Sequence, residues 1–297
     1  MAFNDWDEVR TAFQVARLGT VSGAAQALGV HHATVIRHID SLEQKLETKL
    51  FQRHARGYTP TEAGNDLLQV AQSTDDQLAQ LANRIKGRGN EVTGELIITS
   101  IAVLAPLLSP ALAAFREEHP DLRVKFLTDE RVFRLEYGEA HVAVRAGSPP
   151  DQPDNVAQKF YNQGFALYAS KDYVERHGMP ESLEDVGNHV FIGSADDTPR
   201  APFFAWLKAN VPAANIGFQV NQVTAIAPAI HAGIGIGFST TWAEAGRDDV
   251  VQVFAPRPEW NSQLWLVTHV DLHRTAKVQT CLSFLKEWAK RWPAQEA

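Results

Sequence analysis

Apolar residues in the first fifty positions recur at the spacing of helices. Those at positions 6, 9, 13 and 16 predict an amphipathic helix that Gly19 ends. A short helix over residues 23–28 follows, with Ser22 as its N-cap and Gly29 as the left-handed residue at its end. The third helix has apolar side chains at intervals of four, three and four: Val35, Ile39, Leu42 and Leu46. A short helix, a glycine turn and a longer helix are typical of a helix-turn-helix.

The outward face of the third helix is polar. With Val35 at the centre of the buried face, Arg37 lies roughly 200° and Ala33 roughly 160° around the helix axis. Three more residues share that outward half: Thr34, Ser41 and Gln44. Such side chains suit base edges and phosphates in a major groove. A surface helix without a DNA-binding role can carry the same mixture, so this face alone leaves both interpretations open.

Residues 49–58 form a basic segment with a turn signal. Lys49 and Arg53 precede the turn, Arg56 lies within it, and Gly57 is placed at the bend. This pattern predicts a tight hairpin, or wing, whose arginine crosses a DNA backbone or enters the minor groove.

The run from "VSGAAQALG" to "TEAG" closely resembles the N-terminal winged helix-turn-helix of LysR-type transcriptional regulators. The matching pieces keep a fixed order: A-A-x-x-L-G at 24–29, T-V-x-R-x-I-x-x-L-E at 34–43, L-F-x-R at 50–53 and T-E-A-G at 61–64. The resemblance implies sequence-specific binding to double-stranded DNA. The residues expected to contact DNA are Ser22, His32, Ala33, Thr34, Ile36, Arg37, Arg53 and Arg56.

The chain departs from the family pattern at two positions of this domain. His31 stands where the family usually has a serine, which weakens the N-cap of the third helix. Ile36 replaces a second serine with an apolar group that could touch a thymine methyl. His31 and His32 are a poor metal pair, because adjacent side chains diverge and no third ligand is placed. No metal or cofactor is predicted.

A long helix follows the wing. Its N-cap could be Thr59, which opens a Thr-x-x-Glu capping box with Pro60 in the first turn. In the family pattern the N-cap would instead be Thr61. Apolar and small residues then form an a/d heptad seam: Leu67, Ala71, Thr74, Leu78, Leu81 and Ile85. This seam could pack on the C-terminal domain of the same chain. The resemblance favours pairing of this helix with a second subunit, and hence a homodimer. It also implies a homotetramer, and the sequence does not decide between dimer and tetramer.

Beyond a linker at residues 87–90, β-branched runs alternate with helical patterns, which indicates a doubly wound α/β fold. The predicted strands are 96–99, 123–127, 142–145, 165–169, 190–192, 218–220 and 264–268, and the predicted helices are 102–118, 203–210, 225–232 and 275–291. "GELIITS", "GEAHVAVRAG" and "AIHAGIGIGF" resemble the effector domain of LysR-type regulators, which is similar to periplasmic binding proteins.

The resemblance divides the chain into a DNA-binding domain at residues 1–60, a linker helix at 61–90 and an effector domain at 91–297. Lobe I of the effector domain is expected at 91–163 and 268–297, and lobe II at 164–267. The chain would then cross between the lobes near 163–166 and 265–268.

Ligands of α/β sheets bind at the carboxyl ends of strands and at helix N-termini. Ser100 follows the first predicted strand and opens the next helix, and Thr224 opens a helix of the other lobe. Thr128 ends the second predicted strand and Arg145 the third. The resemblance places small, often anionic effectors at these positions. Simple helix capping explains Ser100 and Thr224 equally well, and capping is compatible with binding.

Charge narrows the candidate DNA-contacting surface. The net charge is −7, and residues 1–90 contain ten basic and ten acidic side chains, so the negative excess lies in the remainder. Residues 31–58 contain five basic and three acidic side chains. Because an acidic body repels a polyanion, only this short segment is expected to face phosphates.

Composition excludes several classes. An apolar fraction of 44% and a charged fraction of 21% exclude a disordered, collagenous or coiled-coil-only chain. A single cysteine, Cys281, and an acidic first ten residues predict a reducing, cytoplasmic location without a secretory signal. Residues 96–115 and 223–242 lack charged side chains over the length of a membrane span. The first segment contains prolines, and the second contains glycines and a histidine. These residues favour buried strand–helix segments over membrane spans.

Two other classes of protein compete with a regulator. An enzyme on an α/β scaffold is disfavoured, because G-x-S-x-G, H-E-x-x-H and P-loop motifs are absent from the sequence. Gly233, Gly235 and Gly237 follow a helix and lack the final glycine of a dinucleotide loop. A stand-alone small-molecule binding protein would need export, and the N-terminal DNA-binding pattern argues against it. We therefore expect a non-enzymatic regulator.

Overall fold

A computed structural model describes residues 5–54, 57–85, 92–129, 131–182, 185–196 and 201–292. The chain divides into two compact units. One is N-terminal and ends at Val92, with the short segments 133–141 and 274–276 added to it. The other contains the remaining residues from Thr93 onward.

The N-terminal unit begins with three helices at the places that the apolar spacing predicts. They are α1 (Trp6–Leu18), α2 (Val21–Leu28) and α3 (His32–Leu46). Their inner faces share one core, whose members include Ala12, Val15, Ala24, Val35, Ile39 and Leu42. An antiparallel hairpin and a long helix follow: β1 (Phe51–His54), β2 (Gly57–Pro60) and α4 (Glu62–Ile85). The predicted wing is therefore a real hairpin, although its bend at residues 55–56 lies outside the described residues.

Helix ends show which capping predictions hold. Gly19 and Gly29 end α1 and α2 in the left-handed conformation, as predicted. The N-cap assigned to Ser22 is wrong, because the Thr20 hydroxyl accepts the hydrogen bond from the amide of Gly23 at 3.1 Å. Ser22 instead lies in the first turn of α2, where its side chain is exposed.

The start of α4 resolves the two alternatives for its cap in favour of Thr61. The Thr61 hydroxyl accepts a hydrogen bond from the amide of Gly64 at 3.2 Å, whereas Pro60 still belongs to β2. Gly64 is required there by close approach, since a Cβ at this position would lie 2.0 Å from the carbonyl oxygen of Leu50. The glycine of the T-E-A-G motif thus lets α4 pass directly over the start of the wing.

The second unit contains three sheets, which we describe as two lobes: one sheet forms lobe I and two form lobe II. The lobe I sheet has the order β4-β3-β5-β12-β6, with β3, β4 and β5 parallel and β12 antiparallel to β5 and β6. Its strands are β3 (Gly94–Ser100), β4 (Leu122–Thr128), β5 (Val142–Ala146), β6 (Asn155–Gln163) and β12 (Ser262–His269). The helices of this part of the chain are α5 (Ala105–Glu118), α10 (Val270–His273) and α11 (Ala276–Ala289).

Lobe II is built around a core of aromatic and aliphatic side chains that includes Phe165, Phe203, Phe238 and Trp260. Its strands are β7 (Phe165–Ser170), β8 (Ile192–Ser194), β9 (Phe218–Val220), β10 (Gly237–Thr240) and β11 (Val250–Gln252). β7 pairs with β10 and β11 in antiparallel fashion, and β8 pairs with β9 in parallel. Its helices are α6 (Lys171–His177), α7 (Pro202–Asn210), α8 (Ile226–His231) and α9 (Thr241–Glu244).

The second predicted crossing between the lobes is wrong. β12 pairs with β5 and β6 along its whole length from Ser262, so residues 262–267 belong to lobe I. The chain therefore returns from lobe II before Ser262 rather than at 265–268. At the first predicted crossing, β6 of the lobe I sheet ends at Gln163 and β7 of lobe II begins at Phe165.

The glycine run at 233–237 serves close packing. Gly235 lies against the backbone before β8, and a Cβ there would stand 2.6 Å from the carbonyl oxygen of Val190. The run leads from α8 into β10, which explains its glycines without a dinucleotide.

Both uncharged stretches form strand and helix segments, and among the described residues no helix is long and apolar enough to cross a membrane. Cys281 lies in α11 and is buried, and burial raises the pKa of its thiol to about 12. This thiol is therefore held in its neutral form at physiological pH.

Candidate nucleic-acid interface and effector site

The outer surface of α3 is the candidate DNA-reading face. Val35, Ile39 and Leu42 are fully buried on its inner side. Exposed residues occupy the opposite arc: Ala33, Ile36, Arg37, Asp40 and Gln44. In the described part of the chain, no carboxylate pairs with Arg37. The structure thus leaves the predicted base-reading cation directed to solvent, while Thr34 is half-buried.

Ser41 does not belong to this face, contrary to the sequence interpretation. Its hydroxyl donates a hydrogen bond to Glu8 of α1 at 2.6 Å, and Lys45 donates to the other carboxylate oxygen at 2.6 Å. Burial raises the pKa of Glu8, but the bonds from Lys45 and Ser41 outweigh it and hold this pKa below its ordinary value. Ser41 and Lys45 therefore lock α3 onto α1.

A groove between α2 and α3 adds to the candidate interface. It is lined by Ser22, Ala25, Gln26, Gly29, Val30, His31, His32 and Ala33. His31 precedes α3 and makes no capping hydrogen bond through its side chain, which confirms the weakened cap. Both histidines are exposed. Three predicted DNA contacts, Ser22, His32 and Ala33, thus lie on one surface.

Glu43 is a buried carboxylate that ties the wing to α3. Its side chain is 2% exposed, and one oxygen accepts hydrogen bonds from the amides of Leu50 at 3.0 Å and Phe51 at 3.2 Å. The other oxygen accepts from Lys49 at 2.7 Å and Arg53 at 3.0 Å. Burial raises the pKa of Glu43, and the bonds from Lys49 and the two amides more than reverse this, so the pKa lies below its ordinary value.

Arg53 has a structural role that the sequence did not reveal. Its guanidinium bonds Asp40 at 2.5 Å and Glu43 at 3.0 Å and lies over the ring of Tyr58 at 5.3 Å. The hydrogen bond to Asp40 raises the pKa of Arg53. Arg53 therefore holds the wing against α3 in addition to being a candidate DNA contact. Arg56, the other predicted wing contact, lies outside the described residues.

Acid is expected to loosen the N-terminal unit. Glu8 and Glu43 both have a pKa lower in the folded than in the unfolded chain. Their stabilisation is therefore fully present above the unfolded value, about 4.3, and is lost as the pH falls through the lower folded values. Amide hydrogen exchange in α1 and α3, corrected for intrinsic rates, should show lower opening free energies at pH 4 and below. A Glu43→Gln variant is the control and should show a shallower pH dependence; equal slopes would contradict the role of Glu43.

The candidate effector site lies at the carboxyl ends of lobe I strands. Ser100 pairs in register with Thr128 of β4 and with Val144 of β5. In-register side chains share a face of the sheet, so Ser100 and Thr128 lie side by side. The 3-10 turn Ala102–Leu104, which follows Ser100, lies against the 3-10 turn Val223–Ala225, which contains the exposed Thr224. Three of the four predicted effector residues are therefore close together.

Arg145 does not join them. It follows Val144 in β5, so its side chain leaves the opposite face from Ser100. Its guanidinium donates to the side-chain oxygen of Gln152 at 3.1 Å.

The two capping roles are also wrong. Ser100 donates to the carbonyl oxygen of Val144 at 3.2 Å, and α5 begins only at Ala105. Thr224 precedes α8, whose N-cap, Ala225, makes no side-chain hydrogen bond.

The predicted seam of α4 divides into two parts. Leu67 packs against the core of its own winged domain, and Ala71 is buried. Leu78, eleven residues beyond Leu67 and hence about 20° from it around the helix, is 58% exposed. The side chains of Leu81 and Ile85 lie outside the described residues.

Two family profiles match this arrangement. "Bacterial regulatory helix-turn-helix protein, lysR family" matches residues 6–65, and "LysR substrate binding domain" matches residues 89–290, more than half of the chain. The chain belongs to the LysR family.

LysR relatives cover the chain to different extents. The HTH-type transcriptional regulator CrgA of Neisseria meningitidis serogroup B is 28% identical over 188 residues, which are 63% of this chain and 62% of CrgA, less than two thirds of its length. DmlR of Escherichia coli K12 is 26% identical over 303 residues, which are 97% of this chain and 95% of DmlR. A full-length OxyR variant from Pseudomonas aeruginosa superposes with a TM-score of 0.70 at 15% identity, over 95% of this chain and 94% of that one. That identity establishes the fold alone.

Several residues of the LysR winged domain escaped the sequence reasoning. Gln26 and Val30 line the α2–α3 groove, and Glu43 anchors the wing. Glu43 is the last residue of the motif at 34–43 and lies roughly 80° from Val35 around the helix, near the buried face. That position was the signal in the sequence for a buried, structural carboxylate. Among the described residues, no three side chains of His, Cys, Asp or Glu come together as metal ligands, and the His31–His32 pair has no third partner.

Proposed function

We propose that the protein is a sequence-specific DNA-binding transcriptional regulator that responds to a small molecule bound in its C-terminal domain. The observation that carries this proposal is the exposed outer face of α3, where Arg37 stands unpaired by any described carboxylate, in a chain of the LysR family. CrgA and DmlR, which share 28% and 26% identity with it, are named as transcriptional regulators. Action on chromosomal DNA implies a cytoplasmic location.

Arg37→Ala is expected to weaken specific DNA binding about 5- to 150-fold. The reason is that a bidentate contact from arginine to a base edge is worth about 1–3 kcal/mol. The measurement is a gel shift on duplexes selected by the parent protein from a random library. Arg10→Ala is the matched control, because it removes an exposed cation from α1 without touching α3. If both variants bind like the parent, α3 does not read the DNA.

The effector is proposed to be a small molecule with acceptor oxygens, and a carboxylate fits best. Support comes from the exposed hydroxyl groups of Thr128 and Thr224 near two facing turns, whereas the Ser100 hydroxyl already donates to Val144. The turn that opens at Ile101 has no side-chain cap, so its amides can donate to a ligand. Arg145 gives no support for a negatively charged effector, since its side chain lies on the other face of the sheet.

Thr128→Val is expected to abolish the response to a carboxylate effector and leave basal DNA binding intact. The substitution keeps the shape of an exposed side chain and removes one hydrogen-bonding group. A panel of small carboxylates is first screened for a rise in melting temperature of the parent protein, because a ligand of the native state stabilises it. Thr59→Val, which removes an exposed hydroxyl from the wing, is the control. A shift that persists in Thr128→Val places the sensing site elsewhere.

A further inference from the structure

Ile36 is an apolar side chain on the surface of the recognition helix. It is 38% exposed and belongs to no described part of the N-terminal core, whereas Val35 beside it is completely buried. Exposure of a single isoleucine is unremarkable in itself. On a helix whose outer face is proposed to enter a DNA groove, however, this side chain becomes part of the reading surface.

The neighbours of Ile36 define two edges of that surface. Relative to Val35, Ile36 lies at roughly 100°, Ala33 at roughly 160° and Arg37 at roughly 200° around the axis. Ala33 and Ile36 are three residues apart, so their side chains are neighbours on the helix surface. They form an apolar edge, and Arg37 provides a cationic edge next to it. All three residues are exposed.

The one acid on this face does not prevent approach to DNA. Asp40 lies four residues after Ile36, on the same side of α3, and its carboxylate is bonded by the guanidinium of Arg53 at 2.5 Å. Arg53 thereby supplies a positive charge beside Asp40. The apolar edge can then enter a groove without an unpaired negative charge next to it.

The chemistry of the major groove limits what an apolar edge can recognise. Bases present donors and acceptors there, and the C5-methyl of thymine is the apolar group among the four bases. We propose that Ile36, together with Ala33, contacts a thymine C5-methyl, and that Arg37 contacts a guanine in the same half-site. This specificity rests on the proposed DNA-binding function and adds a base identity to it.

The test removes only the methyl group. Duplexes are selected from a random library by the full-length parent protein, and each thymine of the selected site is replaced in turn by uracil. At one position uracil should weaken parent binding about fourfold, because burial of a methyl-sized apolar group is worth about 0.8 kcal/mol. Ile36→Ser should bind the thymine duplex about as weakly as the parent binds uracil and should not distinguish the two bases. Ile36→Val should retain most of the discrimination.

The outcomes separate this inference from the function on which it rests. If no duplex is enriched, DNA binding itself is wrong. If duplexes are enriched but uracil is tolerated at every position, DNA binding stands and methyl recognition by Ile36 is overturned. The same conclusion follows if Ile36→Ser keeps the full penalty for uracil, since another side chain then reads the methyl. Hydrogen exchange equal to the parent in α1 and α3 shows that Ile36→Ser retains the fold.

Discussion

Glu43→Ala is expected to lower the opening free energy of the N-terminal unit by about 3–5 kcal/mol. The substitution leaves the amides of Leu50 and Phe51 without their acceptor, and both residues are almost fully buried. Each unpaired buried amide costs about 1–3 kcal/mol. The ion pairs contribute less, because Lys49 is 72% and Arg53 35% exposed. Native-state hydrogen exchange of α1 and α3 in the full chain measures the change.

Asp40→Ala is the matched control for this prediction. Asp40 binds the same guanidinium of Arg53, but its side chain is 52% exposed and it accepts no described backbone amide. Its removal should cost no more than about 1 kcal/mol, as for other exposed pairs. Equal losses in the two variants would mean that the charge of Arg53, and not the buried amides, holds the wing to α3.

The helices of the N-terminal unit could be predicted because their signals are local. The spacing of Val35, Ile39 and Leu42 identifies the buried face of α3, and Gly19 and Gly29 mark left-handed helix ends. These features depend on residues within a few positions of one another.

The contacts of the polar residues were not predictable in this way. Ser41 binds Glu8, 33 positions away, and Arg53 binds Asp40, 13 positions away. The helical period alone placed Ser41 on the outer face, since it carries no information about which helix packs alongside. Tertiary partners therefore give both residues a supporting role in the domain that the helical period does not show.

In the C-terminal domain the missed strands are short or polar. β10 and β11 have four and three residues, and β6 contains Gln158 and Lys159 in its interior. A strand of that length gives no reliable alternation. The predicted strand at 190–192 lies two residues before β8 (Ile192–Ser194), which contains Gly193.

The positions of the candidate effector residues were also only partly predictable from the sequence. Ser100 and Thr128 end their strands, and Arg145 is the last residue but one of β5, so the sequence indicated the correct end of each strand. The face on which each side chain lies depends on register between strands, and a shift of one residue reverses it. The pairing of Ser100 with Val144 and not with Arg145 therefore separates two residues that the sequence had grouped.

Leu78→Glu is expected to convert a dimer into monomers. α4 contains 24 residues and is about 36 Å long, and Leu67 in its first turns packs on its own domain. Leu78 lies on nearly the same side of the helix but is 58% exposed. We propose that a second copy of α4 covers it, as the LysR resemblance implies. In a two-fold dimer each substitution acts twice.

The expected effect on assembly is large. Losing one buried leucine contact costs about 2 kcal/mol, so two symmetry-related copies cost about 4 kcal/mol, which raises the dissociation constant about a thousandfold. An unpaired carboxylate in the contact adds to this. Light scattering at micromolar concentration should report the mass of a monomer. Gln77→Glu, which places the same carboxylate on the adjacent exposed position, should keep the parental mass. Parental mass in Leu78→Glu as well would show that this part of α4 lies outside the subunit contact.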